Sequence, residues 1–257
     1  MANRLLGVIS ALPEELAHLS DGSGTVTRIG GFTFWRAAIA GRQAVFVESG
    51  AGKVNGGVAA SLLLDRFGCR ALLLCGVAGG LDPALGVGDV VVGTSHVQHD
   101  FGMDKESGFQ AIQPGSRPSR GETWTPGYPV AEPLVARLRT ALAGVVLEPL
   151  PEKVGAGRRV PAIHFGGILT GDGFVNSERT RQRLHATFKA QAVEMEGGAV
   201  AQVAKRWAGD NDEEIAFVNV RCLSDLAGAE SHLDFGALLP VAARYASFVA
   251  HRLAPEI

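Results

Sequence analysis

The sequence has 257 residues, of which 46% are hydrophobic and 19% are charged, and its formal net charge is −2. This length and composition are typical of a globular protein with one large core or two smaller ones. Because the chain has no basic stripe and its apolar runs are no longer than a strand, we expect no nucleic-acid partner and no membrane span.

The cysteines and histidines point to a reducing compartment and to no metal. The cysteines, Cys69, Cys75 and Cys222, are odd in number, lie in apolar surroundings and form no CxxC pair, which favours reduced thiols in a cytoplasmic protein. The N-terminal residues lack the apolar region and cleavage site of a signal peptide. No histidine has metal-ligand spacing, so we predict neither a metal nor another cofactor.

Strand and helix patterns alternate along the chain. Strands are predicted over residues 5–10, 32–40, 43–48 (after a Gly41-Arg42 turn), 71–77, 90–92, 163–170, 192–195 and 215–221. Helices are predicted from Pro13 and over residues 53–67, 130–142, 177–188, 197–207 and 237–253. This alternation predicts an α/β protein: residues 1–257 form a single three-layer α/β/α domain around a central twisted, mixed sheet.

One segment interrupts this alternation. Residues 101–128 are rich in glycine, proline, serine and charged residues, and they show little periodicity. We therefore predict an irregular loop there, and a loop of this length in a compact domain is usually functional or disordered.

Two apolar segments carry unexpected charges. Glu194 and Glu196 flank Met195 inside an apolar run, and a second strand-like run, 217–225, ends in Arg221 and nearby polar residues. Buried carboxylates need a polar partner, which could be a sugar diol or an arginine. The alternative is structural: one salt bridge and one glutamate at a helix start. Polar groups at strand ends favour a ligand site.

Glycine-rich turns follow two other strands, at residues 49–53 and 76–80. Either turn alone is weak evidence, because such turns are common wherever positive φ is needed. Their order with the other motifs is more specific, and it resembles the nucleoside phosphorylase/nucleosidase superfamily, most closely its bacterial 5′-methylthioadenosine/S-adenosylhomocysteine nucleosidases. The matching passages are residues 7–16, 49–54, 75–89, 171–176, 193–199, 221–225 and 231–235.

The resemblance implies a nucleoside phosphorylase-like fold and three catalytic carboxyl groups. Asp225 matches the acid that protonates purine N7, Glu15 matches the base that activates water, and Glu196 matches the acceptor of the ribose hydroxyls. Protonating a departing base typically accelerates such a cleavage by ~10²–10⁴-fold. Structural alternatives are a salt bridge between Asp225 and Arg221, and a helix-start role for Glu15.

The same resemblance implies a set of substrate-binding residues. Phe174 stacks on the base, the backbone of Val175 binds adenine, and Met195 packs against the sugar. The complete substrate-binding set that we predict is Leu12, Ala51, Val77, Phe174, Val175, Met195, Arg221, Ser224 and Phe235. Of these, Leu12, Ala51 and Phe235 match the 5′-substituent pocket, Ser224 lies beside the acid, and Val77 stands where the nucleosidases usually carry serine.

The acidic turn at residues 10–15 and Leu74 favour water over phosphate as nucleophile, because family phosphorylases place arginines near these positions. The expected activity is hydrolysis of a 5′-modified adenine nucleoside, a step of methionine salvage. The alternatives are a nucleosidase for futalosine or an adenosyl-lipid, a purine nucleoside phosphorylase, or a nucleoside-binding protein without turnover. The resemblance also implies a homodimer, and we expect residues 101–128 to form a lid or partner-facing loop that selects the 5′-substituent.

Overall fold

The computed structural model describes residues 4–20, 24–115, 126–152, 159–211, 214–229 and 231–257. The strands are β1 (Leu6–Ser10), β2 (Thr25–Ile29), β3 (Phe32–Ile39), β4 (Arg42–Glu48), β5 (Ala71–Gly80), β6 (Val90–Gln98), β7 (Gly102–Lys105), β8 (Gly108–Ala111), β9 (Tyr128–Pro129), β10 (Ile163–Thr170), β11 (Ala192–Glu194) and β12 (Ala216–Asp225). The helices are α1 (Pro13–Leu16), α2 (Lys53–Arg66), α3 (Glu132–Ala141), α4 (Glu178–Phe188), α5 (Gly197–Asn211) and α6 (Ser231–Leu253), followed by a short 3-10 helix, Ala254–Glu256. Among the described residues, no helix has both the length and the apolarity that crossing a membrane requires.

The main sheet is mixed, with the strand order β11-β10-β6-β12-β5-β1-β4-β3-β2 and with β9 added beside β6. Strand β5 pairs in parallel with β1 and β12, whereas β12 and β6 pair antiparallel. Strand β11 pairs in parallel with β10 and antiparallel with the end of β5. This double pairing closes β5, β12, β6, β10 and β11 into a ring.

Hydrophobic cores on both faces of the sheet make the three layers. In β5, Leu73 and Cys75 pack on the side of α1, α3 and α6, while Leu72 and Leu74 pack on the side of α2 and α5. Such alternation is what a strand buried on both faces requires, since successive side chains point to opposite sides. The predicted α/β fold with a central mixed sheet is confirmed.

Several element bounds differ from the sequence-based ones. Strands β5, β6 and β12 continue beyond their predicted ends, and β2 was not predicted because its side chains are mostly exposed. The turn between β3 and β4 lies at Ala40 and Gly41, which both have positive φ, so Arg42 already belongs to β4.

The segment 101–128 is partly regular. Strands β7 and β8 form an antiparallel two-stranded hairpin, which the sequence did not reveal because its side chains are largely exposed on both faces. Residues 116–125 lie outside the described residues. That part of the expected lid or partner-facing loop over residues 101–128 is therefore outside the described structure.

A buried carboxylate fixes the turn between β5 and β6. Asp89 accepts hydrogen bonds from the backbone N–H groups of Gly86 (2.9 Å) and Ala162 (2.7 Å) and from the Arg159 guanidinium (2.8 Å). Burial opposes ionisation of Asp89, yet these hydrogen bonds hold the pKa of its carboxyl below the ordinary value. Asp89 therefore ties this turn to the segment that leads into β10.

Candidate active site

A cavity of about 390 Å³ lies where the ends of several strands meet. Its walls come from the segments that follow β1, β4 and β10, from the ends of β5 and β12, from the turn between β11 and α5, and from the first turns of α6. Every site residue predicted from the sequence lines this cavity, namely Leu12, Glu15, Ala51, Val77, Phe174, Val175, Met195, Glu196, Arg221, Ser224, Asp225 and Phe235.

Glu15 lies in the short helix α1 and is buried. Its Oε2 accepts hydrogen bonds from the N–H groups of Ala11 (2.8 Å) and Leu12 (3.0 Å), and its Oε1 accepts one from Val77 (2.9 Å). Burial raises the pKa of Glu15, against the positive charge of Arg221 and these hydrogen bonds. A carboxylate with a raised pKa is a stronger base than an exposed one.

Glu194 is fully engaged by protein groups. It forms an ion pair with Arg221 and accepts a hydrogen bond from the Thr170 hydroxyl. It also accepts hydrogen bonds from the backbone N–H groups of Glu196 (3.1 Å) and Gly197 (2.8 and 3.0 Å). Gly197 is the first residue of α5, so Glu194 also occupies the positive end of that helix. The structural alternative considered from the sequence, a salt bridge and a helix-start carboxylate, describes Glu194, and Glu196 shares the ion pair with Arg221.

Glu196 keeps acceptor capacity for a ligand. Its Oε1 accepts the N–H of Gly52 (2.9 Å) and its Oε2 accepts Arg221 Nη2 (3.1 Å), whereas a carboxylate can accept about four hydrogen bonds. Its close approach to α2 depends on Gly56, where a Cβ would lie 2.9 Å from the Glu196 Cβ. Burial, partly offset by Arg221, raises the pKa of Glu196 to about 7.

Arg221 is the electrostatic centre of the site. This buried side chain donates from Nε to Asn219 Oδ1 (2.9 Å) and from Nη1 to the Val77 carbonyl (3.3 Å), and its Nη2 contacts Glu194 and Glu196. Although burial disfavours its charge, the carboxylates around it raise the pKa of Arg221. The guanidinium is thus held in one orientation by four groups.

Asp225 ends strand β12 on another wall of the cavity. Its Oδ2 accepts the Ser224 hydroxyl (3.0 Å), and its Oδ1 accepts the N–H of Ala227 (2.8 Å), a residue with positive φ. A Cβ at Gly79 would approach Oδ1 to 3.1 Å, so this glycine near the end of β5 leaves room for the carboxyl. The side chain is buried yet lines the cavity.

Two phenylalanines form an aromatic wall. Phe174 is 49% exposed, and its ring meets Phe235 edge-on, with 5.9 Å between the ring centroids. Val175 and Met195, both partly buried, also line the cavity. Exposed aromatic surface at a cavity mouth is suited to covering a planar apolar ligand.

Some lining residues were not assigned from the sequence. These are Ala11, Ala78, Gly79, Gly173, Val193 and Glu194. All six belong to the motifs that carried the family resemblance, so the sequence indicated each segment without distinguishing every residue in it.

The ionisable groups of the described lining are predominantly acidic. It contains the carboxyl groups of Glu15, Glu194, Glu196 and Asp225, and within the described part of the chain Arg221 is the one basic side chain among the residues lining the cavity. A dianion such as phosphate would meet repulsion here, while neutral polar groups such as sugar hydroxyls would find acceptors.

Fold and site together define a family of nucleoside-cleaving enzymes. The chain belongs to the phosphorylase superfamily, whose family model matches residues 5–254. It is 42% identical over 254 residues to the 5′-methylthioadenosine/S-adenosylhomocysteine nucleosidase of Mycobacterium tuberculosis (strain CDC 1551 / Oshkosh), covering 98% of this chain and 97% of the relative. These comparisons confirm the resemblance that the motifs indicated.

Solved structures agree with this assignment. The nucleosidase of the same name from Colwellia psychrerythraea 34H, in complex with adenine, is 29% identical with a TM-score of 0.78, covering 99% of this chain and 96% of that one. Futalosine hydrolase of Helicobacter pylori has a TM-score of 0.80 at 24% identity, covering 99% of this chain and 98% of that one. The second likeness concerns the fold alone.

Proposed function

We propose that the protein hydrolyses the N-glycosidic bond of a 5′-modified adenine nucleoside, of the methylthioadenosine or S-adenosylhomocysteine type, and releases free adenine. The observation that carries this proposal is the placement of Glu15, Glu196 and Asp225 on separate segments around one acidic cavity. The names of the relatives at 42% identity support the substrate class.

Each carboxyl group has a distinct task in this proposal. Asp225 protonates N7 of the purine, which makes the base a better leaving group, and the Ser224 hydroxyl orients it from 3.0 Å. Glu196 accepts hydrogen bonds from the ribose hydroxyls, and Arg221 holds that carboxylate in place. Glu15 takes a proton from the attacking water, a task for which its raised pKa suits it.

Apolar residues hold the rest of the substrate. Phe174 stacks on the base, the backbone of Val175 binds adenine, and Met195 packs against the sugar. Leu12, Ala51 and Phe235 enclose the 5′-substituent. Val77, at the position where related nucleosidases carry serine, contributes its backbone, since its N–H holds Glu15 and its carbonyl accepts from Arg221.

Water is the nucleophile in this proposal because the cavity disfavours an anion. Arg221 already serves Glu194 and Glu196, and Leu74 lies in the core between the sheet and its helices. A phosphate dianion would also lie near Glu15, whose negative charge repels it.

A product analysis tests the proposal. The protein is incubated with methylthioadenosine, S-adenosylhomocysteine, futalosine, adenosine and inosine, each with and without phosphate, and free base and sugar products are quantified by mass spectrometry. We expect adenine and a free sugar at rates that phosphate does not change. A sugar 1-phosphate as the main product would refute hydrolysis, and tight binding without base release would indicate a binding protein.

We also propose that the protein is a homodimer. Exposed apolar side chains cluster on α2, at Val54 (76% exposed) and Val58, and on or beside the β7–β8 hairpin, at Phe101, Met103 and Phe109. An exposed apolar patch of this kind is typical of an interface. A second copy of the chain would cover both features, and the hairpin would then face the partner as expected for residues 101–128.

Sedimentation velocity tests this assembly. Val54→Glu should convert the dimer to a monomer, because a charge on the apolar face of α2 would have to be buried. The matched control is Val26→Glu on β2, which is also exposed and should leave the dimer intact. A wild-type monomer, or equal effects of both substitutions, would contradict the proposed interface.

We further place the protein in the cytoplasm and its reaction in methionine salvage. The three cysteines are free and buried, which suits a reducing compartment. Fractionation of cells carrying a tagged chain tests the location, and growth on methylthioadenosine as sulfur source, with and without the gene, tests the pathway.

A further inference from the structure

A cluster of three charged side chains joins segments at the edge of the cavity. Lys53 Nζ lies 2.6 Å from Asp100 Oδ1 and 3.4 Å from Asp172 Oδ2. The backbone N–H of Asp172 donates to Asp100 Oδ2 at 2.9 Å. The cluster therefore connects the start of α2, the residues after β6 and the loop after β10.

The first N–H groups of α2 are taken up by carboxylates from two different segments. Gly52 donates to Glu196 Oε1 at 2.9 Å, and Lys53 donates to Asp172 Oδ1 at 2.9 Å. The helix has no side-chain cap of its own, and its dipole favours negative charge at this end. The start of α2 thus fixes both carboxylates at once.

These two carboxylates are associated with two different walls of the cavity. Glu196 belongs to the wall assigned to the ribose, whereas Asp172 lies two residues before Phe174 and three before Val175, in the wall assigned to the base. Because Gly52 and Lys53 are adjacent, the hydrogen bonds to Glu196 and Asp172 set the positions of the two walls relative to each other.

We propose that Lys53, Asp100 and Asp172 are positioning residues that hold the ribose wall and the base wall at a fixed separation. This inference rests on the proposed nucleosidase function, since it concerns the same cavity. The three residues contact Glu196 and Phe174 only through the backbone of α2 and of the loop after β10, so they act on the ligand indirectly.

The chemistry predicts a binding effect and little effect on the bond-breaking step. Contacts to the base and the ribose exist in the bound substrate and in the transition state alike, so loosening them raises KM while kcat changes little. We expect Asp172→Ala to raise KM about tenfold and to change kcat by less than about threefold. Asp172→Asn retains an acceptor for the Lys53 N–H, and we expect it to recover most of this loss.

Kinetics and calorimetry on the full chain test the inference. The variants are Asp172→Ala, Asp172→Asn and Lys53→Met, and the control is Glu148→Gln, which removes an exposed pair with Arg244. KM and kcat are measured with methylthioadenosine, adenine affinity by calorimetry, and the melting temperature in parallel. We expect weaker binding of both ligands in Asp172→Ala and Lys53→Met, and wild-type behaviour in the control.

A double-mutant cycle locates the effect. If the walls are coupled through α2, Asp172→Ala should weaken nucleoside binding less in a Glu196→Ala background than in the wild type. Unchanged KM and adenine affinity, or a lower melting temperature with normal binding, would refute the positioning role. A wild-type protein that binds adenine but cleaves no nucleoside would refute the proposed function, while the effect of Asp172→Ala on adenine affinity would still test the inference.

Discussion

Replacement of Glu15 by glutamine separates catalysis from folding at this site. The side chain keeps its size but can no longer take a proton from water. Removing a general base typically costs ~10²–10⁴-fold in rate, and we expect kcat to fall within this range. Binding of adenine should change by less than about threefold, because the groups proposed to hold the base are on other segments.

The structure also gives the effect of this change on stability. Three backbone N–H groups, those of Ala11, Leu12 and Val77, point at the two oxygens of Glu15. A glutamine can offer its oxygen to the first two, and its amide group then leaves the Val77 N–H without an acceptor, at a cost of ~1–3 kcal/mol. The loss of a buried charge offsets part of that cost. In a chain of this size each kcal/mol shifts the melting temperature by about 2–4 °C.

The pH dependence provides an independent check. Because the pKa of Glu15 is raised in the folded state, its contribution to stability is complete below the pKa of the unfolded chain and is lost as pH rises through the folded pKa. Stability of Glu15→Gln should therefore gain on wild type as pH rises. In wild type, kcat/KM should fall on acidification as Glu15 and the ribose-binding Glu196, whose pKa is also raised, become protonated.

The assay compares Glu15→Gln with Glu14→Gln, a change at the neighbouring, exposed glutamate of the same helix. Adenine release, adenine affinity and melting curves from pH 5 to 9 are recorded for both variants. Loss of less than tenfold in kcat for Glu15→Gln, or equal losses in the two variants, would refute the assignment of Glu15 as base and leave it as a helix-start residue.

Three further predictions follow from individual contacts. Asp225→Asn should lose more than tenfold in kcat on adenine nucleosides while its melting temperature stays near wild type; adenine-release kinetics would contradict the assignment if the loss were smaller. The pKa of Asp89 is lowered in the folded state, so its contribution to stability is present above its unfolded pKa and is lost as pH falls through the folded pKa. The variant Asp89→Asn should therefore be less stable than wild type at pH 7. Melting curves should show this difference in stability shrinking towards pH 3. The change Gly56→Ala places a Cβ 2.9 Å from the Glu196 Cβ and should weaken nucleoside binding. In the control Gly57→Ala, the new Cβ lies 3.9 Å and 4.0 Å from its nearest neighbours, so KM should be unchanged. Equal KM values for the two variants would contradict the packing argument.

The fold was predictable where an element has a clear boundary and a buried side. Strand β10 has the predicted bounds, because its buried last residues, Ile168–Thr170, are followed by the glycine-rich turn that begins at Gly171. Strand β5 runs on to Gly80 although glycines usually mark turns, because β12 and β11 pair with its last residues. Such pairing depends on distant segments. Strand β2 offers no buried face, so no alternation of apolar and polar residues marks it in the sequence.

The site was predictable as a set of residues and much less as a set of contacts. The motifs located Glu194, Glu196 and Arg221 in the sequence. Which carboxylates pair with Arg221, however, depends on the relative positions of β11 and β12 in the ring of strands. Thr170 and Asn219, which hold Glu194 and Arg221, resemble ordinary strand residues in the sequence. Polar residues that act on a site from within strands acquire that role only through tertiary structure.

The closure of the ring by β11 has a consequence for hydrogen exchange. Strand β11 is only three residues long, yet it is hydrogen-bonded to β10 on one edge and to β5 on the other. Its amides should therefore exchange with solvent only when the whole domain unfolds, at a rate set by global stability. Glu196, two residues beyond this strand, therefore follows a segment that is paired on both edges. Any adjustment to ligands of different size falls to the exposed aromatic wall, whose amides should exchange far sooner.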